Sequence, residues 1–201
     1  CSQLVFPCEW VFVDDGSDDG TSARLSALRR GNEHVGVLRL SRNFGKEVAI
    51  SAGLQQAVGD AVVIIDADLQ DPPELIPALV EHWLDGFDNV FARRTRRSGD
   101  GPFKRWTART FYRLLARVTN IDVPADAGDF RLLDRRAVDA ILQFREQHRF
   151  MKGLYAWVGY RAVAVPYERE PRAGGATKWS FHKLWNLAID GITSFTVAPL
   201  K

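Results

Sequence analysis

Val62-Val63-Ile64-Ile65-Asp66-Ala67-Asp68-Leu69-Gln70-Asp71-Pro72-Pro73-Glu74 is the stretch on which the fold and the chemistry turn. Its first four residues are an unbroken apolar run, the pattern of a strand buried on both faces of a parallel sheet. In extended chain alternate side chains share a face, so the spacing predicts Asp66 and Asp68 pointing the same way at the strand's carboxyl end. Adjacent carboxylates repel. A hard divalent cation relieves that repulsion, and Gln70 can add a neutral oxygen ligand. The plain alternative, a solvated pair at a strand end, is the commoner fate of an arbitrary Asp-x-Asp. Open α/β sheets bind ligands at the carboxyl ends of their strands, and that placement favours metal binding. Asp71-Pro72-Pro73-Glu74 then reads as a helix start, with Asp71 as N-cap, proline at the first position and Glu74 closing a capping box.

Upstream of this strand the chain alternates strand and helix. Glu9 to Val13 reads as a strand. Gly16 and Gly20 mark a tight turn, and Ala23 to Arg30 has helical spacing. In the acidic turn between them, Asp15, Ser17, Asp19 and Gly20 resemble the opening of a calcium loop that starts at Asp15. Its twelfth position is Ser26 rather than Glu and a strand precedes it, so an EF-hand is excluded. A carboxylate leaving a strand into such a loop can instead accept hydrogen bonds from a base or ribose; a plain capped turn is the alternative. Val35 to Leu40 is a second strand, and the following helix carries Val48, Ala49, Ala52, Gly53 and Ala57, small residues that predict close packing on the sheet. After the central stretch, Pro77 predicts a late helix start or a kink. Phe87 to Ala92 is a further strand. This β-α-β-α-β-α-β order predicts an α/β domain with a doubly wound, mostly parallel sheet.

Beyond it the pattern changes. Phe103 to Val118 has amphipathic helical spacing. Gly128 to Leu133 reads as a strand, with Asp134 capping a helix through Val138, Ile141 and Leu142. Tyr160 to Tyr167 alternates as a strand. A polar, glycine-bearing loop covers 169–178, and the apolar stripe from Phe181 to Phe195 predicts a helix suited to a membrane interface or to core packing.

The 201 residues are most simply one domain, and 46% apolar with 26% charged residues is ordinary globular composition. A net charge of +2 does not argue for nucleic acid. Arg93, Arg94, Arg96, Arg97, Lys104, Arg105, Arg109 and Arg113 crowd together, as a solvated basic face or as a surface for phosphates and anionic lipid. They lack the interleaved aromatics of a nucleic-acid reader. Cys1 and Cys8 have no metal-ligand spacing, and a reducing cytosolic setting is the default.

Together, V-D-D-G-S-D-D-G-T (13–21), S-R-N-F-G-K (41–46), D-A-D-L-Q-D-P-P-E (66–74), G-D-F-R-L-L-D-R (128–135), R-A-G-G-A-T-K-W (172–179) and D-G-I-T-S-F-T-V-A-P-L (190–200) resemble the family 2 glycosyltransferases of GT-A fold. Within that family they are most similar to the polyprenyl-phosphate sugar transferases, the dolichol-phosphate mannose synthase and bactoprenol glucosyltransferase group. The resemblance implies a catalytic domain over 1–178 and an amphipathic juxtamembrane helix over 179–201. It implies an inverting transfer of sugar from a UDP- or GDP-sugar to a polyprenyl phosphate at the cytoplasmic membrane face, with room for a homo-oligomer. It assigns Asp14, Asp15, Asp66 and Ala67 to the nucleotide, and Asp66, Asp68 and Gln70 to Mg2+ or Mn2+ on the diphosphate. Asp129 and Arg131 become catalytic, and Arg131, Arg172, Lys178 and Arg93 grip the acceptor phosphate, since guanidinium offers phosphate a two-pronged hold.

Two departures stand out. No initial strand with P-x-Y-N-E is present, and the chain stops at Lys201 where the bactoprenol branch continues into transmembrane helices. Both suggest a chain cut short at each end. A processive polysaccharide synthase lacks support because no Q-x-x-R-W occurs. A transferase with a soluble hydroxyl acceptor and a non-catalytic nucleotide-binding module remain as alternatives.

Overall fold

Alternating β-branched and aromatic residues make β1 (Trp10–Asp14), which pairs in parallel with β2 (Val35–Arg39) from Trp10 opposite Val35 to Asp14 opposite Arg39. A parallel pair needs a crossover, here α1 (Thr21–Arg30). The computed structural model describes residues 6–68, 70–95, 127–144 and 151–168. The chain forms two compact units, residues 1–62 with 134–145, and residues 63–133 with 146–201.

In the first unit α2 (Lys46–Gln56) lies on β1, and its small residues do what their pattern predicts. A Cβ on Gly53 would sit 3.2 Å from Val13 Cγ2, so the helix approaches closely enough that an added side chain would have to push Val13 aside. Helix α4 (Arg135–Leu142) packs against α2 and buries Ala137, Val138 and Ile141 completely. Asp134 caps it as expected, accepting from Arg136 N at 2.9 Å. Arg135 fastens this returning segment to the first unit. Its guanidinium donates to the Ala57 and Gly59 carbonyls, and its backbone N donates to Asp60 O at 2.8 Å.

The chain enters the second unit through β3 (Ala61–Ile64), continuing through a 3-10 turn (Pro73–Leu75), α3 (Ile76–Leu84) and β4 (Asn89–Arg94). Next among the described residues come β5 (Ala127–Asp134), α5 (Met151–Trp157) and β6 (Ala162–Tyr167). The sheet runs β3-β5-β4-β6; β4 is parallel to β6 and antiparallel to β5. Val90, Ala92, Phe130, Leu132, Leu133 and Leu79 form its core.

Three local expectations are corrected. Among the described residues β3 is half-buried along its length, not the fully covered strand its apolar run suggests. It stops at Ile64, and Ala67 and Asp68 lie in a turn, so strand alternation does not set the directions of Asp66 and Asp68. Nor does Asp71 cap a helix. Pro72 holds the position before the 3-10 turn without any side-chain cap, and α3 begins at Ile76, which leaves Pro77 in the first turn where its missing N–H costs nothing. Among the described residues no helix is long and apolar enough to cross a membrane. The segments 103–118, 169–178 and 179–201, with Arg172 and Lys178, lie outside the described residues.

Candidate functional site

In the first unit the loops after β1 and β2 are built against each other. Gly16 has φ 71°, and a Cβ there would lie 2.4 Å from the Arg42 carbonyl carbon, so only glycine fits. Asp15 crosses to the second loop and accepts from Phe44 N at 2.8 Å and Gly45 N at 2.9 Å, occupying both carboxylate oxygens at the start of α2. Asp14 is 3% exposed; its Oδ1 accepts from Ser17 N at 2.9 Å, and its Oδ2 lies 3.8 Å from Arg39 Nε. Hydrogen bonds from Ser17, aided by the Arg39 charge, hold this carboxyl below its ordinary pKa despite burial. Asp14 Oδ2 is buried and has no hydrogen-bond partner among the described residues, leaving one acceptor for a ligand N–H or hydroxyl.

In the second unit the Asp-x-Asp turn emerges from β3. Asp66 is half-buried, while Ala67 and Asp68 are exposed. Asp68 Oδ1 accepts from Gln70 N at 3.1 Å, which closes the turn on itself. Gln70 Oε1 is buried without a hydrogen-bond partner among the described residues. No cluster of three His, Cys, Asp or Glu side chains suited to a metal occurs among those residues. Two carboxylates and one amide oxygen are too few for a closed protein cage. They fit a hard cation that completes its shell with phosphate oxygens and water, as Mg2+ and ions like it do.

The next residue, Asp71, is 3% exposed and takes a hydrogen bond of 2.5 Å from the Tyr167 hydroxyl. Arg94 Nε donates to that hydroxyl at 3.2 Å, and Arg94 Nη2 lies 3.8 Å from Asp71 Oδ1. Burial, then the bond to Asp71, pushes the Tyr167 phenol above its ordinary pKa, so it stays protonated and donates. The sequence reading places Arg94 only in a basic cluster and gives Tyr167 no site role; in the structure Arg94 is engaged with both Asp71 and Tyr167. A tyrosine closing an alternating strand is a visible sign of a buried hydroxyl, but its partner lies 96 residues away.

Asp129 and Arg131 share a face of β5 by alternation. Asp129 is half-buried, and Arg131 is 3% exposed. Its guanidinium donates to Asn89 Oδ1 at 3.3 Å and Gly128 O at 2.8 Å, and lies 3.8 Å over the Tyr155 ring. This cation is held within the protein by those groups, while its buried Nε donates no hydrogen bond among the described residues. Arg93, at the end of β4, is exposed.

The model of the glycosyl transferase family 2 matches residues 1–142. The chain belongs to that family. Among family 2 relatives, an uncharacterized glycosyltransferase of Synechocystis sp. is 53% identical over 96% of this chain and 61% of its own length. A prophage bactoprenol glucosyl transferase homolog of Escherichia coli is 47% identical over 98% of this chain and 64% of its own length. The chain thus spans about three fifths of the curated relatives it matches. Among solved structures, glucosyl-3-phosphoglycerate synthase from Mycobacterium tuberculosis, in complex with Mn2+, UDP-glucose and phosphoglyceric acid, superposes with a TM-score of 0.57 at 22% identity. It covers 92% of this chain and 66% of that one. This likeness supports the fold, an α/β domain of GT-A type.

Proposed function

We propose that this family 2 chain carries the catalytic part of an inverting glycosyltransferase. It would move a sugar from a UDP- or GDP-sugar to a polyprenyl phosphate at the cytoplasmic membrane face. The observation that carries the reading is the turn after β3, with Asp66, Asp68 and a buried Gln70 oxygen that lacks a hydrogen-bond partner. The 47% likeness to a bactoprenol glucosyl transferase homolog directs the acceptor towards a lipid phosphate.

Asp66, Asp68 and Gln70 would hold Mg2+ or Mn2+, which supplies charge neutralisation to a leaving diphosphate. An oxygen of the acceptor phosphate attacks the anomeric carbon as the bond from that carbon to the diphosphate breaks, so the configuration inverts. With a second pKa of about 6 the acceptor is largely dianionic at neutral pH and gives up no proton in attacking. Cations matter more than a strong base at such a site. Arg93 is exposed for that task, with Arg131, Arg172 and Lys178 as further candidates, and Asp129 serves beside Arg131 to orient the reacting groups or to take a proton from the monoanionic fraction of the acceptor. Asp14 and Asp15 are the candidates for the nucleoside contact: Asp14 Oδ2 has no hydrogen-bond partner among the described residues, and each Asp15 oxygen, bonded once to a loop amide, keeps a second acceptor site.

The test is transfer of label from nucleotide sugars to a short polyprenyl phosphate with Mn2+ or Mg2+. Asp68→Ala is expected to lower turnover at least about 100-fold, the scale of losing a group that stabilises developing charge. Undiminished turnover in Asp68→Ala, or transfer only to soluble hydroxyl acceptors, defeats the proposal.

A further inference from the structure

Asp71 directly follows Gln70 and lies three residues beyond Asp68, yet its carboxylate is turned inward to the Tyr167 hydroxyl and Arg94. Both partners stand at the carboxyl ends of parallel strands. Arg94 of β4 and Tyr167 of β6 are opposite each other in register, and Thr95 N and Oγ1 both donate to the Tyr167 carbonyl, at 3.0 and 3.1 Å. The Tyr167 ring is further fixed edge-on to Phe130, with centroids 6.4 Å apart. Arg94 also neighbours β5: a Cβ on Gly128, the residue before Asp129, would sit 3.9 Å from Arg94 Nη2. The turn carrying Asp66, Asp68 and Gln70 is thus tied by its next residue to the ends of two strands, beside a third.

We propose that Asp71, Tyr167 and Arg94 are positioning residues whose hydrogen-bonded cluster sets the path of the 66–70 turn and so its affinity for a divalent cation. The inference deepens the reading above and rests on it. Stability alone does not account for the cluster, because apolar side chains of similar volume can replace buried charged groups at little cost. What they lack is direction. A short hydrogen bond between a stiff phenol and a carboxylate holds the backbone at Asp71 in one place, and Gln70 is one peptide away. Groups that orient metal ligands from behind typically change metal affinity 10–100-fold when altered.

The experiment is a Mn2+ titration of the chain with saturating UDP and, in parallel, GDP, following the free-ion electron paramagnetic resonance signal, alongside the thermal midpoint. Tyr167→Phe deletes one hydroxyl and keeps the ring against Phe130. It is expected to weaken Mn2+ binding about tenfold. Asp71→Asn keeps an acceptor for Tyr167 and should lose less. Leu79→Val, a fully buried change in the same unit outside the cluster, should lower the thermal midpoint without moving Mn2+ affinity. Mn2+ affinity within twofold of wild type in Tyr167→Phe overturns the inference. So does an equal loss in Leu79→Val, which would make the effect one of general unfolding. If the wild-type chain binds no Mn2+ with either UDP or GDP, the functional reading falls with it; wild-type binding matched by all the variants overturns the positioning role alone.

Discussion

Single residues in this protein do work that their neighbours in sequence do not announce. Gly16 and Asp15 stand side by side in one acidic turn, and both face the loop after β2. Gly16 is confined there twice, by a left-handed φ of 71° and by the Arg42 backbone 2.4 Å from any Cβ. Either constraint alone costs an alanine about 1–2 kcal/mol, and the clash is with backbone, which cannot swing aside. Gly16→Ala should therefore destabilise the chain by about 3 kcal/mol in denaturant unfolding. A loss below about 1 kcal/mol would mean that the two loops do not pack as described. Gly20, also at positive φ, has open space around its Cβ position and should tolerate alanine with the conformational cost alone.

At the scale of elements, local signals and distant partners compete, and Asp71 and Asp134 show who wins. Each precedes a run of helical residues, and each reads from sequence as an N-cap. Asp134 is one: its Oδ1 accepts from Arg136 N and Nε, both two residues on. Asp71 is not, because Tyr167 and Arg94 take its carboxylate. Asp134→Ala should cost about 1 kcal/mol, as for an ordinary cap. Asp71→Ala strands a buried hydroxyl and part of a guanidinium, and should cost about 3 kcal/mol. Equal losses in denaturant unfolding would return Asp71 to the role of a cap.

The same contrast explains what was legible in the sequence. The β-α-β-α-β-α-β order, the glycine turn, the close approach of α2 and the cap on α4 depend on residues a few positions apart, and all are found. The burial of Arg131 and of Asp71 depends on side chains 42 and 96 residues distant, to which hydrophobic periodicity is blind. β3 misled for a related reason. Val62 to Ile65 is apolar enough for a strand covered on both faces, but apolar content does not say how completely those faces are covered, and β3 is half-buried among the described residues.

For the molecule as a whole, the consequence of the proposed chemistry is that stability becomes linked to ligand and metal together. A nucleoside diphosphate carries the oxygens that would complete a cation's shell at Asp66, Asp68 and Gln70, so neither ligand should bind well alone. Binding confined to the folded state at a hundredfold excess over Kd adds about 2.7 kcal/mol. For a chain of this size that raises the thermal midpoint by about 5–10 °C. UDP or GDP with Mn2+ should produce that shift, whichever base the enzyme prefers producing the larger one. The nucleotide without metal, or Mn2+ without nucleotide, should move the midpoint by less than about 2 °C, the response to occupancy near Kd or below. Asp68→Ala should abolish the joint effect, while Arg93→Ala, at a residue assigned to the acceptor, should leave it whole. A shift that survives chelation of the metal would place the diphosphate on protein cations alone, and the Asp-x-Asp turn would then have no part in holding the donor.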